Sequence, residues 1–149
     1  MLSESILKNF TPLVAQSARQ WRRAIDRELQ PLGLTEATWL PLLHLSRSPE
    51  PLRQKDLARL LQLDSSSVVR LLDALEAAGY IDRAEGQDRR AKTLLLTEAG
   101  HAAVRQVEAV VDRVRAKYLG AVPERDLATA FRTLQRISAL LAADLEPAE

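Results

Sequence analysis

The chain has 149 residues, 46% of them hydrophobic, which is enough for one packed domain-sized unit. With 21 basic and 20 acidic residues its net charge is only +1, so any binding of a polyanion must depend on where the charges lie. The chain has no cysteine, which excludes disulfides, thiolate zinc sites and cysteine redox switching.

The N-terminal segment predicts a long amphipathic helix. Thr11 followed by Pro12 indicates a helix start, because a capping hydroxyl and a first-turn proline are typical of that position. Ile6 and Phe10 extend the apolar stripe backward, and residues 30–33 form a stop. The first residues do not resemble a signal peptide, and no apolar run approaches the length of a membrane span. We therefore expect a cytoplasmic protein without membrane contact.

The next two helices are less well specified. A helix from a Thr35 cap to about Ser46 contains Pro41, which removes a backbone donor and should kink the helix or delay its start. A further helix begins near Gln54, where Arg53 occupies the N-cap position at which Ser or Thr is usual. We expect that poor cap to cost ~1 kcal/mol of local stability.

Residues 57–78 predict a helix-turn-helix unit. A short helical pattern ends at Leu61, a tight turn covers residues 62–64, and a second helix runs from Ser65 to Ala78. Asp64 is a suitable N-cap for that helix, because its carboxylate can accept from free N–H groups of the first turn. Helix pairs of this kind also occur in ordinary α-helical bundles, so the pair alone does not establish DNA binding.

The second helix of this unit has an apolar and a polar face. Its apolar positions are Val68, Leu72, Leu75 and Gly79. That spacing leaves Ser66, Ser67 and Arg70 on the outer face, near the end that reads base edges in a major groove. The fork of the Arg70 guanidinium matches the O6 and N7 acceptors of guanine, so we expect Arg70 to carry sequence information. The candidates for DNA contact in this helix are Ser65, Ser66, Ser67 and Arg70.

A predicted β-hairpin follows directly after Gly79. Residues 80–85 and 91–97 are compatible with strands, and residues 86–88 are a turn signal. Its candidates for DNA contact are Asp88, Arg89, Arg90 and Lys92. An arginine at this tip suits the negative potential of a narrow minor groove, with Asp88 as an ion-pair partner that fixes its rotamer. The alternative is a solvated charged turn.

The C-terminal third predicts two long helices separated by a break at residues 120–123. Apolar residues recur at intervals of three and four in both helices. They are Val104, Val107, Val111, Val114 and Tyr118 in the first helix, and Leu127, Phe131, Leu134, Leu141 and Leu145, with Ser138, in the second. Apolar faces of this length cannot be buried wholly against a compact DNA-binding region, so we expect the two helices to form a dimerisation layer. Packing of the helices on each other within a monomer is the alternative.

Taken together, these elements resemble the MarR family of bacterial transcriptional regulators. The resemblance is carried by LLDALEAAGYIDR at residues 71–83, DRRAK at 88–92 and LTEAG at 96–100, and it covers the chain from about Pro12 onward. The SlyA branch is the more similar one, through WRRAID at residues 21–26, LGLT at 32–35 and Trp39.

The resemblance implies a mainly α fold with a small β-hairpin wing. Residues 33–97 are expected to form a winged helix-turn-helix DNA-binding region, and residues 1–32 and 98–149 a helical dimerisation region. The implied function is that of a sequence-specific transcriptional regulator, a homodimer that presents two recognition helices to a palindromic operator.

The resemblance also implies a small aromatic carboxylate bound between the dimerisation helices and the reader. The positions implied are Arg19, Trp21, Arg22 and Trp39. Tryptophan rings can stack on an aromatic ligand, and an arginine at the entrance of the pocket can bind its carboxylate, but core packing of both tryptophans is an equally supported alternative. We expect no cofactor and no metal, because His44 and His101 without cysteine make no metal-binding set.

Two rival classes of function are considered. The three serines at 65–67, with a histidine and an aspartate elsewhere, supply the residue types of a catalytic triad, but no nucleophile elbow surrounds them, so we do not expect an enzyme. A winged-helix protein-interaction module without DNA binding would show an apolar patch where a DNA reader has a positive strip across Arg70 and the wing tip. The operator, the regulated genes, the effector and the choice between a repressor and an activator are left open.

Overall fold

The computed structural model describes residues 3–85 and 92–145 of the chain. The described helices are α1 Glu4–Leu29, a 3-10 helix Gln30–Leu32, α2 Glu36–Arg47, α3 Gln54–Leu61, α4 Ser65–Ala77, α5 Glu98–Leu119 and α6 Glu124–Leu145, and the strands are β1 Ile81–Glu85 and β2 Lys92–Leu96. Two compact units are present, one ending at Val111 and the other beginning at Asp112. The predicted fold class, mainly α with a β-hairpin, is confirmed.

Helix α1 begins earlier than the sequence predicts. Ser3 is its N-cap, and the Ser3 hydroxyl oxygen accepts from the Ile6 N–H at 3.3 Å. Pro12 lies inside the helix, so the prediction of a start at Thr11 was wrong. Proline leaves the carbonyl of Lys8 without its helical donor. The Ser3 cap and the apolar stripe on both sides of the proline nevertheless favour one continuous helix.

The predicted stop after α1 and the start of α2 are confirmed. The 3-10 helix follows α1 directly, and Gly33 then adopts a left-handed conformation with φ 76°, which side chains other than glycine rarely tolerate. Thr35 is the N-cap of α2, and the helix continues without interruption through the buried Pro41. Pro41 therefore does not delay the start of the helix.

The core of the first unit is built around Trp39. This indole is only 1% exposed, and its Nε1–H donates to Asp26 Oδ1 at 3.3 Å. Other buried side chains are Ile25, Leu29, Leu34, Leu42, Leu57, Val68, Leu72, Leu75, Ile81, Leu94 and Val107. Because the indole N–H has an acceptor, burial of the ring leaves that polar group satisfied.

Helix α3 has Arg53 at its N-cap, as the sequence indicates. The Asp56 carboxylate accepts from the Arg53 backbone N–H at 3.1 Å, which is one of the two hydrogen bonds of a capping box. This bond offsets part of the local stability that we expected the poor N-cap to cost. The same segment extends the sheet, since the Leu94 N–H donates to the Leu52 carbonyl at 2.8 Å and Arg53 bridges to Thr93. Sequence patterns did not indicate this third strand position.

The hairpin pairs its two strands in an antiparallel register. Ile81 lies opposite Leu96, and Glu85 lies opposite Lys92. Ile81 and Leu94 are buried, so one face of the hairpin packs into the core. The predicted strands are thereby confirmed within a residue at each end. The predicted turn at residues 86–88 lies outside the described residues.

The apolar seams of α5 and α6 differ in burial. In α5 the buried members are Val104, Val107, Val111 and Val114, whereas Tyr118 is exposed. In α6, which the structure describes throughout, no residue is buried. Phe131 is 63% exposed and Leu145 is 81% exposed. The apolar seam of α6 is therefore not covered by any of the residues that the structure describes. None of the described helices is long and apolar enough to cross a membrane.

Candidate nucleic-acid interface

Asp64 fixes the N-terminus of α4. Its Oδ1 accepts from the Ser67 N–H at 2.7 Å and from the Ser66 hydroxyl at 2.9 Å. The Ser67 backbone hydrogen bond, followed by those of the Ser66 and Ser67 side chains, lowers the pKa of the Asp64 carboxyl. An ionised carboxylate also suits the positive end of the helix dipole. The predicted N-cap is confirmed.

The outer face of α4 is a mixed polar and apolar surface. An open depression there is lined by Ser65, Ser66, Val69 and Arg70. The sequence predicts that Ser67 shares this face with Ser66 and Arg70. In the structure Ser67 is only half-exposed and lies at the flank of the face. Val68, one residue before Val69, is buried. We did not anticipate Val69 from the spacing, although a second valine beside a buried one is a visible signal.

The Ser66 hydroxyl is already engaged, because it donates to the Asp64 carboxylate. In this rotamer the Ser66 oxygen can accept a hydrogen bond from a base but has no free proton to donate. Among the described residues Arg70 forms no hydrogen bond or close ion pair and interacts only through its charge with Asp64, so its guanidinium donors are available to a ligand.

Arg83 of β1 links the hairpin to α4. Its Nη2 lies 2.6 Å from Asp73 Oδ1, and its Nε lies 3.9 Å from Glu76 Oε2. The Arg83 side chain is 18% exposed, and its Nε has no hydrogen-bond partner among the described residues. At 3.9 Å the contact with Glu76 is electrostatic only. Arg83 thus pairs with Asp73 and offsets part of the charge of Glu76, a role that sequence reasoning missed.

Thr97 ties the end of α4 to the start of α5. Its hydroxyl donates to the Gly79 carbonyl at 2.5 Å and accepts from the Gly100 N–H at 3.0 Å, while its own N–H donates to the Tyr80 carbonyl at 3.0 Å. Gly100 lies directly against that Tyr80 carbonyl, where a Cβ would collide. The orientation of the hairpin relative to α5 is therefore held by short polar contacts.

Only one of the four wing candidates lies in the described part of the chain. Lys92 is exposed at the start of β2, opposite Glu85. Asp88, Arg89 and Arg90 lie outside the described residues, so their part in DNA binding stays a prediction.

The four ligand candidates occupy different environments. Trp39 is buried in the core, which agrees with the packing alternative for this residue. Trp21 is half-buried, and Arg19 and Arg22 are exposed on α1. Whether these residues bind a ligand stays a prediction.

A group of positive charges surrounds His44. Burial, followed by the charges of Arg47 and Arg22, lowers the pKa of the His44 imidazole. The Nε of Arg47 also lies 3.4 Å from Glu108 Oε1, which joins α2 to α5. Arg22 therefore belongs to a group of cations from two helices, which sequence spacing did not reveal.

Comparison with known proteins agrees with this arrangement. A family model described as MarR family matches residues 32–91, from the 3-10 helix through the first strand of the hairpin. The solved structure of the transcriptional regulator PA3341 is 38% identical, with a TM-score of 0.83, and the match covers 90% of this chain and 98% of that one. The chain belongs to the MarR family. It is a DNA-binding transcriptional regulator with a winged-helix fold, in which the β1–β2 hairpin is the wing.

Other MarR-family structures are similar over most of the chain. CouR from Rhodococcus jostii RHA1, solved with bound p-coumaroyl-CoA, is 27% identical with a TM-score of 0.75, and the match covers 91% of this chain and 95% of that one. A MarR-family transcriptional regulator from Rhodococcus sp. RHA1 is also 27% identical with a TM-score of 0.76, covering 91% and 96%.

Proposed function

We propose that this MarR-family protein binds a palindromic operator as a homodimer, with one recognition helix in each of two successive major grooves. The observation that carries the proposal is the face of α4, which presents an uncommitted Arg70 in its first two turns while its opposite side is buried. Arg70 is assigned to a guanine, because a bidentate contact to O6 and N7 is the commonest specific contact in the major groove.

The remaining DNA contacts are assigned by position. Ser65, Ser66 and Ser67 lie at the helix end that meets the base edges and the adjacent phosphates. Asp88, Arg89, Arg90 and Lys92 are assigned to the wing, where the cations contact phosphates or the minor groove and Asp88 orients one of them.

The homodimer is supported by the uncovered seam of α6. Phe131, Leu134, Leu141 and Leu145 are exposed along one helix in the isolated chain. An apolar surface of this extent marks an interaction site, and a two-fold partner covers it with an equivalent surface. We accordingly assign residues 1–32 and 98–149 to dimerisation and residues 33–97 to DNA reading.

We further infer that a small aromatic or anionic molecule modulates DNA binding. The supporting observations are the cations Arg22 and Arg47 around His44, the partly accessible Trp21, and the similarity to CouR, whose structure holds an aromatic acyl-CoA. Benzoate and p-coumaroyl-CoA are suitable probes in a thermal-shift titration. A rise in Tm that Arg22→Ala removes is the expected result, and no shift with either probe would contradict this effector class.

Three further assignments complete the proposal. The SlyA-like branch is inferred from residues 21–26 and Trp39, and a cytoplasmic location from the role of a DNA-binding regulator. The expectation that the chain is not an enzyme rests on the three serines at 65–67, which no nucleophile elbow surrounds.

Selection of bound duplexes from a random library tests the main proposal. The expected result is a palindrome whose half-sites are about 10 base pairs apart, the spacing of successive major grooves on one side of DNA. Enrichment of no sequence would contradict it and favour a winged-helix module that binds another protein. Light scattering of the complex gives the stoichiometry, for which we expect two chains per duplex.

A further inference from the structure

Val69 is an exposed apolar residue in the middle of the polar face of α4. Its side chain is 36% exposed, whereas Val68 beside it is 1% exposed. Ser65, Ser66 and Arg70 line the same depression. A single exposed valine is common on protein surfaces and needs no explanation by itself. This one is different because it lies between residues that the proposed function assigns to DNA.

The major groove contains one apolar group that a valine can contact. Thymine carries a C5 methyl there, while the other edges present hydrogen-bond donors and acceptors. A valine in a helix has one strongly preferred χ1 rotamer, so its two methyl groups are held in position before DNA is bound. Little side-chain entropy is then lost when the valine contacts a base.

The other residues that line the depression do not supply an apolar contact to the thymine methyl group. The Ser66 hydroxyl donates to Asp64, so in this arrangement it cannot donate to a base, and Ser67 is half-buried and does not line the depression. Arg70 can contact a guanine but has no means of recognising a methyl group. If α4 recognises a thymine methyl group, a side chain other than Arg70 must contact it. Val69 is the apolar side chain that lines the depression beside Arg70.

We propose that Val69 contacts the C5 methyl of a thymine in each operator half-site, so that Val69 and Arg70 together determine base specificity. This inference rests on the proposed function, because it requires α4 to enter the major groove. Loss of one buried methyl contact should lower affinity about fourfold per half-site, equivalent to ~0.8 kcal/mol.

The experiment replaces each thymine of the selected operator in turn by deoxyuridine, which removes only the methyl group. Fluorescence anisotropy gives the affinity of the full-length protein and of Val69→Ala for each duplex. We expect one position per half-site at which deoxyuridine weakens the wild-type protein about fourfold. At that position Val69→Ala should bind both duplexes equally.

Val122→Ala is the matched control. It makes the same substitution at a valine that is 41% exposed, in the connection between α5 and α6. Val122 lies in the region assigned to dimerisation, so any effect falls on the overall affinity, and the variant should keep the wild-type ratio of affinities for the thymine and deoxyuridine duplexes. Circular dichroism and the affinity for a random duplex show whether the DNA-binding region of Val69→Ala is still folded.

The possible outcomes separate this inference from the proposed function. If the wild-type protein selects an operator but no deoxyuridine position weakens it, Val69 does not recognise a methyl group and the proposed function stands. The same conclusion follows if Val69→Ala keeps the wild-type sensitivity. If the wild-type protein selects no sequence, the proposed function and this inference are both overturned.

Discussion

Arg83 Nη2 lies 2.6 Å from Asp73 Oδ1, so the first strand of the wing forms an ion pair with α4. Asp73 is three residues after Arg70 on α4, at a spacing where the two side chains could pair with each other. By holding Asp73, Arg83 leaves the Arg70 guanidinium available for a base. The wing is thereby coupled to the reading face through one side chain.

Arg83→Ala should lower affinity for the specific operator more than affinity for a random duplex. The freed Asp73 then competes for Arg70, at an exposed site where such a pair contributes about 1 kcal/mol at most, or roughly fivefold in affinity per half-site. Anisotropy titrations with both duplexes measure the effect. Adding Asp73→Asn to Arg83→Ala should restore part of the specific affinity. Failure of that rescue would mean that Arg83 acts on the wing alone.

Arg70→Ala should remove sequence preference. A bidentate contact to guanine contributes roughly 1–3 kcal/mol of discrimination, so specific affinity should fall by that amount per half-site while nonspecific binding falls much less. Competition between operator and random duplex measures the ratio. If both affinities decrease by the same factor, Arg70 is a phosphate contact and base reading belongs to Ser66, Ser67 or a neighbour.

The wing variants should show the opposite behaviour. Arg89→Ala and Arg90→Ala remove cations that contact phosphates or the minor groove, so binding to specific and random duplexes should weaken alike. The dependence of log affinity on log salt should also become shallower, by about one unit for each lost phosphate contact. Unchanged affinity in both variants would show that the hairpin does not contact DNA.

Phe131→Glu should dissociate the dimer. If a partner chain covers this ring, its loss removes ~1.5–3 kcal/mol per protomer, and two-fold symmetry applies the loss twice, for an increase in the dimer dissociation constant of about a hundredfold or more. Thr133→Glu is the control, because it lies two residues away on the other side of α6. Analytical ultracentrifugation over a concentration series measures both.

Deletion of residues 123–149 should likewise abolish a stable, soluble dimer, because it removes α6 and exposes the apolar residues of α5. A well-folded monomer from that deletion would show that the dimerisation region is misassigned.

His44 should make the protein less stable at acidic pH. Burial and the charges of Arg47 and Arg22 lower the pKa of His44 below its ordinary value of 6.5. Below that pH the unfolded chain binds a proton that the folded protein resists, so the free energy of unfolding decreases as the pH falls. The decrease ends once the pH is below the folded pKa.

Substitution of His44 tests this pH dependence. In His44→Gln the loss of Tm between about pH 7.5 and pH 5.5 should be smaller than in the wild type. His101→Gln, at an exposed position on α5, is the matched control. An unchanged pH profile in His44→Gln would assign the acid sensitivity to other groups.

The sequence by itself determined the order of the elements and most of their ends. Asp64 as the cap of α4, the helix stop at residues 30–33 and the break between α5 and α6 are local signals that act over a few residues. Such signals can be identified without knowledge of the rest of the chain. Where two local signals compete they are less reliable, as at Thr11 and Pro12, where the continuing apolar stripe and the Ser3 cap outweighed the proline.

Only the tertiary structure decided which side chains meet. The sequence left Trp39 equally compatible with a ligand site and with the core, and its burial against Asp26 followed from the packing of α1 with α2. Arg83 could be assigned to Asp73 only once β1 was placed beside α4. These contacts join residues on different elements. Their distances depend on how the elements pack, and periodicity within one element carries no information about that packing.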